Sequence, residues 1–234
     1  MSISEPVRNW ITGSRVRIIT GHFGTGKTEL AVNLAIMLGE MQIPYILADL
    51  DVVDPYFRSR EQKDRIEAGG GILITSSQAC MDADVPSMPP DVGKVFDDHE
   101  RFAIMDIGGD PSGARVLAQY RDRIIRENAE MICVINANRP FTKTAEAAAD
   151  YIRTIENACG IEISGLINNT HLLGKTEEED IRHGADVARE AAKLTGKPLI
   201  GHSVMRSLAD RAEKVIKEEE LIIPMDIYMK KPWE

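Results

Sequence analysis

The sequence predicts an α/β fold: a three-layer, doubly wound, mainly parallel sheet with helices on both faces. Three observations predict it. Short β-branched and apolar runs alternate with helical patterns, as they do where crossover helices join parallel strands. The run Gly21-His22-Phe23-Gly24-Thr25-Gly26-Lys27-Thr28 fits G-x-x-x-x-G-K-[ST] and stands between a strand pattern and a helix pattern. Two further apolar runs, at 45–51 and 102–106, end in carboxylates. In open α/β sheets it is the carboxyl ends of the strands that face a ligand.

Taken in order, residues 1–14 carry Pro6, Gly13 and a lone Trp10 and form a short lead-in, with Trp10 packing on the domain. Val16-Arg17-Ile18-Ile19-Thr20 is the first strand. After the glycine-rich run, Leu30, Ala31, Leu34, Ala35 and Leu38 recur at helical spacing, and the helix ends around Gly39–Gln42. In that context the glycines let the backbone curl so that N–H groups point inward at an anion. The helix adds its positive end. Lys27 reaches the β- and γ-phosphates, and the Thr28 hydroxyl ligates Mg²⁺. The nucleotide-contacting set here is Gly21, Phe23, Gly24, Thr25, Gly26, Lys27, Thr28 and Glu29.

The second strand, Tyr45-Ile46-Leu47-Ala48-Asp49-Leu50-Asp51, places Asp49 and Asp51 on one side, because strand side chains repeat every two residues. Like charges side by side need a cation or a donor, which gives them a metal-linked role; helix capping or a solvated loop is the other reading. The turn-like segment 52–61, with Asp54-Pro55, is placed to reach a γ-phosphate. A charged helix over 61–68, the triplet Gly69-Gly70-Gly71 and the strand Ile72–Thr75 follow. Ser76–Pro90, holding Asp82, Asp84, Pro86 and Pro89, is a lid, a partner-binding loop or a plain surface excursion. Phe102-Ala103-Ile104-Met105-Asp106 is then a strand with a Walker B ending. Asp106 binds Mg²⁺ through water, and Gly108-Gly109 approach the γ-phosphate. The catalytic set is Lys27, Asp51 and Asp106; the metal set is Thr28, Asp49, Asp51 and Asp106.

The remainder alternates regularly. Helices are expected over 113–127, 142–158, 177–194 and 207–219. Strands are expected over 131–136, 163–168 and 198–200, with a short apolar piece at 221–224. There is no internal repeat and no linker rich in Gly, Ser or Pro, so 1–234 is expected to be a single domain.

Composition removes several function classes. A net charge of −9 disfavours nonspecific binding to nucleic acid or an acidic membrane. Arg115, Arg121, Arg123 and Arg126 on one expected helix form either a local basic patch or a solvated face. Cys80, Cys133 and Cys159 are odd in number and far apart, which argues against a disulfide framework or a thiolate metal site. No run of about 18 apolar residues and no signal-like opening is present, so the expectation is a soluble, cytoplasmic protein.

With the P-loop, Asp49 and Asp51, the Asp106-Ile107-Gly108-Gly109 turn and the later asparagines in view, the chain resembles the CobQ/CobB/MinD/ParA-type nucleotide-binding proteins of the SIMIBI class of P-loop NTPases. The resemblance covers roughly residues 15–215. It implies that Asp51 positions water and Mg²⁺, supported by Asp49 or Asp54, and that the Asp106 strand neighbours the P-loop strand. It also implies an asparagine on adenine, here Asn168 or Asn169. One departure is clear: the MinD/ParA branch carries a signature lysine after the first P-loop glycine, where this chain has His22, a residue that contacts phosphate or packs the loop. The ATP-sandwich contact of that branch therefore does not carry over, and a homodimer or protein partner stays open. Lys230-Lys231-Pro232-Trp233 is too short for a membrane helix.

Base choice has its own signal. Guanine readers of the P-loop class use Asn-Lys-x-Asp, whose aspartate accepts from guanine N1–H and N2. Here Asn136-Ala137-Asn138-Arg139 and Asn168-Asn169-Thr170-His171 both lack that aspartate. An asparagine amide matches adenine N7 and N6, although asparagine also ends strands and turns chains. The expected ligands are ATP and Mg²⁺. The expected function is a slow ATPase switch; an ATP-dependent synthetase or small-molecule kinase of the cobyrinate amidase/dethiobiotin synthetase type is the alternative.

Overall fold

A computed structural model describes residues 3–51, 59–75 and 89–229. Its centre is an eight-stranded sheet in the order β3-β2-β4-β1-β5-β6-β7-β8. The strands are β1 (Val16–Thr20), β2 (Tyr45–Leu50), β3 (Gly71–Thr75), β4 (Phe102–Ile107), β5 (Glu130–Ile135), β6 (Gly165–Asn168), β7 (Leu199–Met205) and β8 (Leu221–Met225). Every pairing among them is parallel. The chain winds to one side of β1 through β2–β4 and to the other through β5–β8. The crevice at the carboxyl end of β1 is therefore the topological switch point, and the glycine-rich loop leaves β1 there.

Among the described residues the helices are α1 (Glu5–Thr12), α2 (Lys27–Glu40), α3 (Lys63–Ala68), α4 (Gly93–Asp97), α5 (Pro111–Arg115), α6 (Arg121–Arg126), α7 (Ala145–Cys159), α8 (Glu178–Thr195) and α9 (Ala209–Ala212). They cover both faces. Ile18 belongs to the core shared with α4–α8, whereas its neighbour Ile19 belongs to the core shared with α1, α2 and α3. Adjacent β-branched residues thus fill opposite cores, which is why β1 is buried along its whole length. Trp10 on α1 lies under the buried guanidinium of Arg17, 4.3 Å from its ring centroid.

Three expected elements differ. The helix expected over 113–127 is α5, a 3₁₀ stretch (Val116–Tyr120) and α6. It starts earlier than expected because Asp110 caps the Ser112 and Gly113 amides at 2.7 and 3.0 Å, with Pro111 in the first turn. The arginines there do not form one face: Arg121 donates to the Gly160 carbonyl, and Arg123 pairs with Asp97. The helix expected over 207–219 shrinks to a 3₁₀ turn (Arg206–Leu208) and α9. Glu220 is pulled inward, accepting from Arg189 at 2.8 Å and sitting 2.9 Å from His202 Nε2, and this contact turns the chain into β8. β7 runs to Met205 rather than residue 200 because β8 pairs along it from Gly201↔Leu221 to Met205↔Met225. Among the described residues no helix is long and apolar enough to cross a membrane.

Candidate functional site

The glycine-rich loop closes through two left-handed residues, Gly24 at φ +77° and Gly26 at φ +87°, a conformation that side chains rarely adopt. Gly26 immediately precedes α2, so Lys27 and Thr28 occupy the helix's first turn, where backbone N–H groups lack partners within the helix. The β4 strand lies directly beside β1, as the resemblance implied, and carries Asp106 to the loop.

Two contacts join the start of α2 to the ends of β2 and β4. Lys27 Nζ is 2.6 Å from Asp51 Oδ2, with both side chains only 6% exposed. Thr28 Oγ1 donates to Asp106 Oδ2 at 2.6 Å. Asp49 and Asp106 are register partners across β2 and β4. Asp49 is tied up differently: its Oδ2 accepts from the Ser59 amide at 3.2 Å and from the Ser59 hydroxyl at 2.7 Å. It therefore tethers the chain where it returns after the segment 52–58. Burial pushes Asp106 up to about 8; the Lys27 ammonium opposes the rise and Asp49 adds to it. Burial likewise raises Asp49.

These residues fit Mg²⁺. Asp106 Oδ1 is buried without a hydrogen-bond partner, and a buried carboxylate oxygen of that kind needs a water or a cation. Mg²⁺ keeps several waters and takes one or two protein oxygens plus phosphate, not an all-protein cage. No group of three or more His, Cys, Asp or Glu among the described residues has metal-holding geometry. Thr28 and Asp106 would hold the ion, and the chemistry it would supply there is neutralisation of phosphate charge.

The Gly108-Gly109 turn packs on the glycine-rich loop. A Cβ on Gly109 would lie 1.9 Å from the Gly21 carbonyl oxygen, so only glycine allows this approach. The Tyr151 hydroxyl donates to the Gly109 carbonyl at 2.9 Å; this latch from α7 had no motif to announce it. His22 stacks on Phe141 with centroids 4.0 Å apart and meets Tyr151 edge-on. Phe23 is 62% exposed. Asp54 and most of the 76–90 loop lie outside the described residues.

On the other side of Lys27 and Thr28 a cleft opens, with Arg139, Asn169 and His171 as polar neighbours and Leu173, Met205, Met225, Ile227 and Met229 as apolar wall. The asparagines diverge here. Asn169 Nδ2 donates to the Thr25 carbonyl at 2.7 Å and lines the cleft. Asn168 turns into the sheet: its Oδ1 accepts from the Thr170 amide and hydroxyl, and its Nδ2 is 3.0 Å from His202 Nδ1. Arg139 Nε donates to the Gly24 carbonyl at 2.8 Å. His171 Nδ1 accepts from the Leu173 amide at 3.1 Å, leaving Nε2 as the protonated nitrogen of the neutral ring. Burial, aided by the Arg139 charge, pushes His171 down to about 4. Glu29 also lines the cleft, but its carboxylate accepts from the amides of Tyr228 and Met229. The methionine wall had no sequence signal, because its residues come from separate strands and a connecting segment.

No family model and no curated protein matches this chain. Solved structures do. The cell division protein FtsY of Thermotoga maritima superposes with a TM-score of 0.54 at 20% identity, covering 82% of this chain and 62% of that one. The fold is that of the P-loop NTPases. FtsY of Mycoplasma mycoides gives 0.53 at 15% identity over 82% of this chain and 60% of its own. The signal recognition particle 54 kDa protein of Aeropyrum pernix, solved in complex with GDP, gives 0.52 at 19% identity over 86% and 44%. This chain thus spans less than two thirds of each. At such identities the likeness is one of fold, and it does not carry the narrower CobQ/MinD/ParA resemblance.

Proposed function

We propose that the chain is a single P-loop domain that binds ATP with Mg²⁺, hydrolyses it slowly and acts as a nucleotide-driven switch. The observation that carries this reading is the pairing of Lys27 with Asp51 and of Thr28 with Asp106, which delivers an ammonium, a hydroxyl and two carboxylates from three adjacent strand ends to one loop. A γ-phosphate competes with Asp51 for the Lys27 ammonium. Binding therefore draws Lys27 away from Asp51, while the Gly108-Gly109 turn senses the same phosphate from its seat on Gly21. Hydrolysis in such a site comes from positioning and charge stabilisation, with Asp51 orienting water and Asp106 supporting Mg²⁺. The likeness to structures of the signal recognition particle type supports the nucleotide-binding part of the reading.

The choice of ATP rests on the base end. Guanine presents N1–H and N2–H donors and needs a carboxylate. The groups here are donors, Arg139 and His171, beside the Asn169 amide, and Glu29 already accepts two backbone N–H groups. An amide serves adenine N7 and N6. Because one neighbour holds GDP, the test is direct competition of ATP and GTP in the presence of Mg²⁺. ATP is expected to bind at least tenfold more tightly, about 1.4 kcal/mol. Equal affinity, or a preference for GTP, overturns the ATP assignment, and loss of neither nucleotide's affinity on chelating Mg²⁺ overturns the role of the ion.

A further inference from the structure

We propose that the segment 226–229, directly after β8, is a fixed wall of the nucleoside subsite, and that Glu29 is the positioning residue that fastens it to the P-loop helix. The proposal rests on the nucleotide reading above and adds which part of the ligand this segment meets.

Glu29 follows Lys27-Thr28 directly. Its Oε1 accepts from the Tyr228 amide at 2.7 Å and its Oε2 from the Met229 amide at 3.2 Å. One turn along α2, Asn33 Oδ1 accepts from the Asp226 amide at 2.9 Å and Asn33 Nδ2 donates to the Asp226 carbonyl at 2.9 Å. A side-chain amide thus pairs with backbone as a neighbouring strand would. The opposite side is held as well. Arg206 forks onto the Asp226 carboxylate at 2.8–3.1 Å. Gln62 Nε2 donates to the Tyr228 carbonyl at 2.8 Å, and the Arg65 guanidinium lies 4.7 Å from the Tyr228 ring centroid.

The consequence follows from the period of an extended chain. Asp226 and Tyr228 face these anchors, and Met225, Ile227 and Met229 face the cleft beside Lys27 and Thr28. The wall is apolar, and thioether chains adapt to a flat ring. It offers nothing to phosphate and suits a base. Releasing the anchors leaves the phosphate contacts standing but lowers the fraction of molecules with the wall in place, and apparent affinity falls by that fraction.

Calorimetry on the full chain compares ATP with inorganic tripolyphosphate, both with Mg²⁺, for the parent, Glu29→Ala and Ile227→Ala. In Glu29→Ala the ratio of ATP affinity to tripolyphosphate affinity is expected to fall at least tenfold, and the Tyr228 and Met229 amides to exchange hydrogen faster. Ile227 is 44% exposed, so Ile227→Ala carries little folding risk and is expected to lower the same ratio severalfold; it decides the matter if Glu29→Ala does not fold. An unchanged ratio in the folded variants, or an equal fall for both ligands, overturns the wall. A parent that binds ATP no better than tripolyphosphate is a different result: it overturns the nucleotide reading itself, and the wall with it.

Discussion

Lys27→Ala is expected to damage the protein twice, once in stability and once in affinity, and the two effects can be separated. The ammonium is 2.6 Å from Asp51 in a place where both side chains are 6% exposed. At an effective dielectric of 20, the gross attraction over that distance is about 6 kcal/mol, and breaking buried pairs of this kind typically costs about 3–5 kcal/mol. The same ammonium is the chief influence holding Asp106 down, which burial already pushes up to about 8. Without Lys27 burial raises Asp106 further and it holds its proton to higher pH, so the destabilisation should be largest above about pH 8 and smaller near neutrality. With a urea slope of about 1–3 kcal/mol/M, a loss of about 3 kcal/mol moves the midpoint down by at least about 1 M. Lys27→Ala/Asp51→Ala should recover part of that stability, since it removes the stranded charge, yet recover none of the ATP affinity. That affinity should fall about 10- to 100-fold for loss of a charge-assisted contact. Urea unfolding without nucleotide, at two pH values, and calorimetry with MgATP read the two effects. A single variant that unfolds at the parent's midpoint and binds ATP at the parent's affinity refutes the reasoning.

Asp51→Asn keeps shape and loses charge, so ATP turnover is expected to fall about 10²–10⁴-fold with a much smaller change in affinity; parent-like turnover in a steady-state assay makes Asp51 structural. Gly109→Ala sets a methyl 1.9 Å from the Gly21 carbonyl oxygen, so the turn must withdraw from the loop and discrimination of ATP over ADP should be lost; equal titrations of parent and variant refute it. His171 is held down at about 4 by burial and the Arg139 charge. The stability it contributes is present above about pH 6.5 and lost as pH falls through about 4. A His171→Gln variant should therefore show a flatter fall in unfolding free energy across that window, measured by denaturant titration.

What the sequence made legible was local. The β-branched run before Gly21 and the helical spacing of Leu30, Leu34 and Leu38 specify strand and helix without help from elsewhere, and β1 and α2 stand where they were expected. Asp106 and the paired glycines were likewise readable from an apolar strand ending in a charge. Long-range contacts were not. Nothing in the spacing of Glu218, Glu219 and Glu220 says that one of them turns inward to Arg189 and His202 and so ends a helix early. Asn168 and Asn169 are equivalent as sequence. Only the position of the β6 end beside Thr25 sends one amide to the loop and the other to His202. Arg139 and His171 stood out as the lack of an aspartate, whereas in the fold they are groups that line the cleft.

The two ends of the cleft are built by different parts of the sheet. The carboxylates arrive from β2 and β4 on one side of β1, and Asn169 and the methionine wall arrive from β6, β7 and β8 on the other. The glycine-rich loop and the first turn of α2 touch both. Successive helical residues point about 100° apart, so three neighbours in that turn have three different duties. Lys27 faces Asp51, Thr28 faces Asp106, and Glu29 faces the backbone of Tyr228 and Met229. These three duties lie on one turn, so the carboxylates from β2 and β4 and the segment after β8 are held by neighbouring side chains. The element reached from the far side of that wall, through Gln62, is the one that follows Ser59, which Asp49 holds. Hydrogen bonds and the 3₁₀ turn Ser59–Gln62 therefore link the end of β2, the segment after β8 and the P-loop helix. On the proposed nucleotide reading, the phosphates meet Lys27 and Thr28 while the base meets the wall that Glu29 fastens, so a ligand filling both ends is expected to bind more tightly than either half alone.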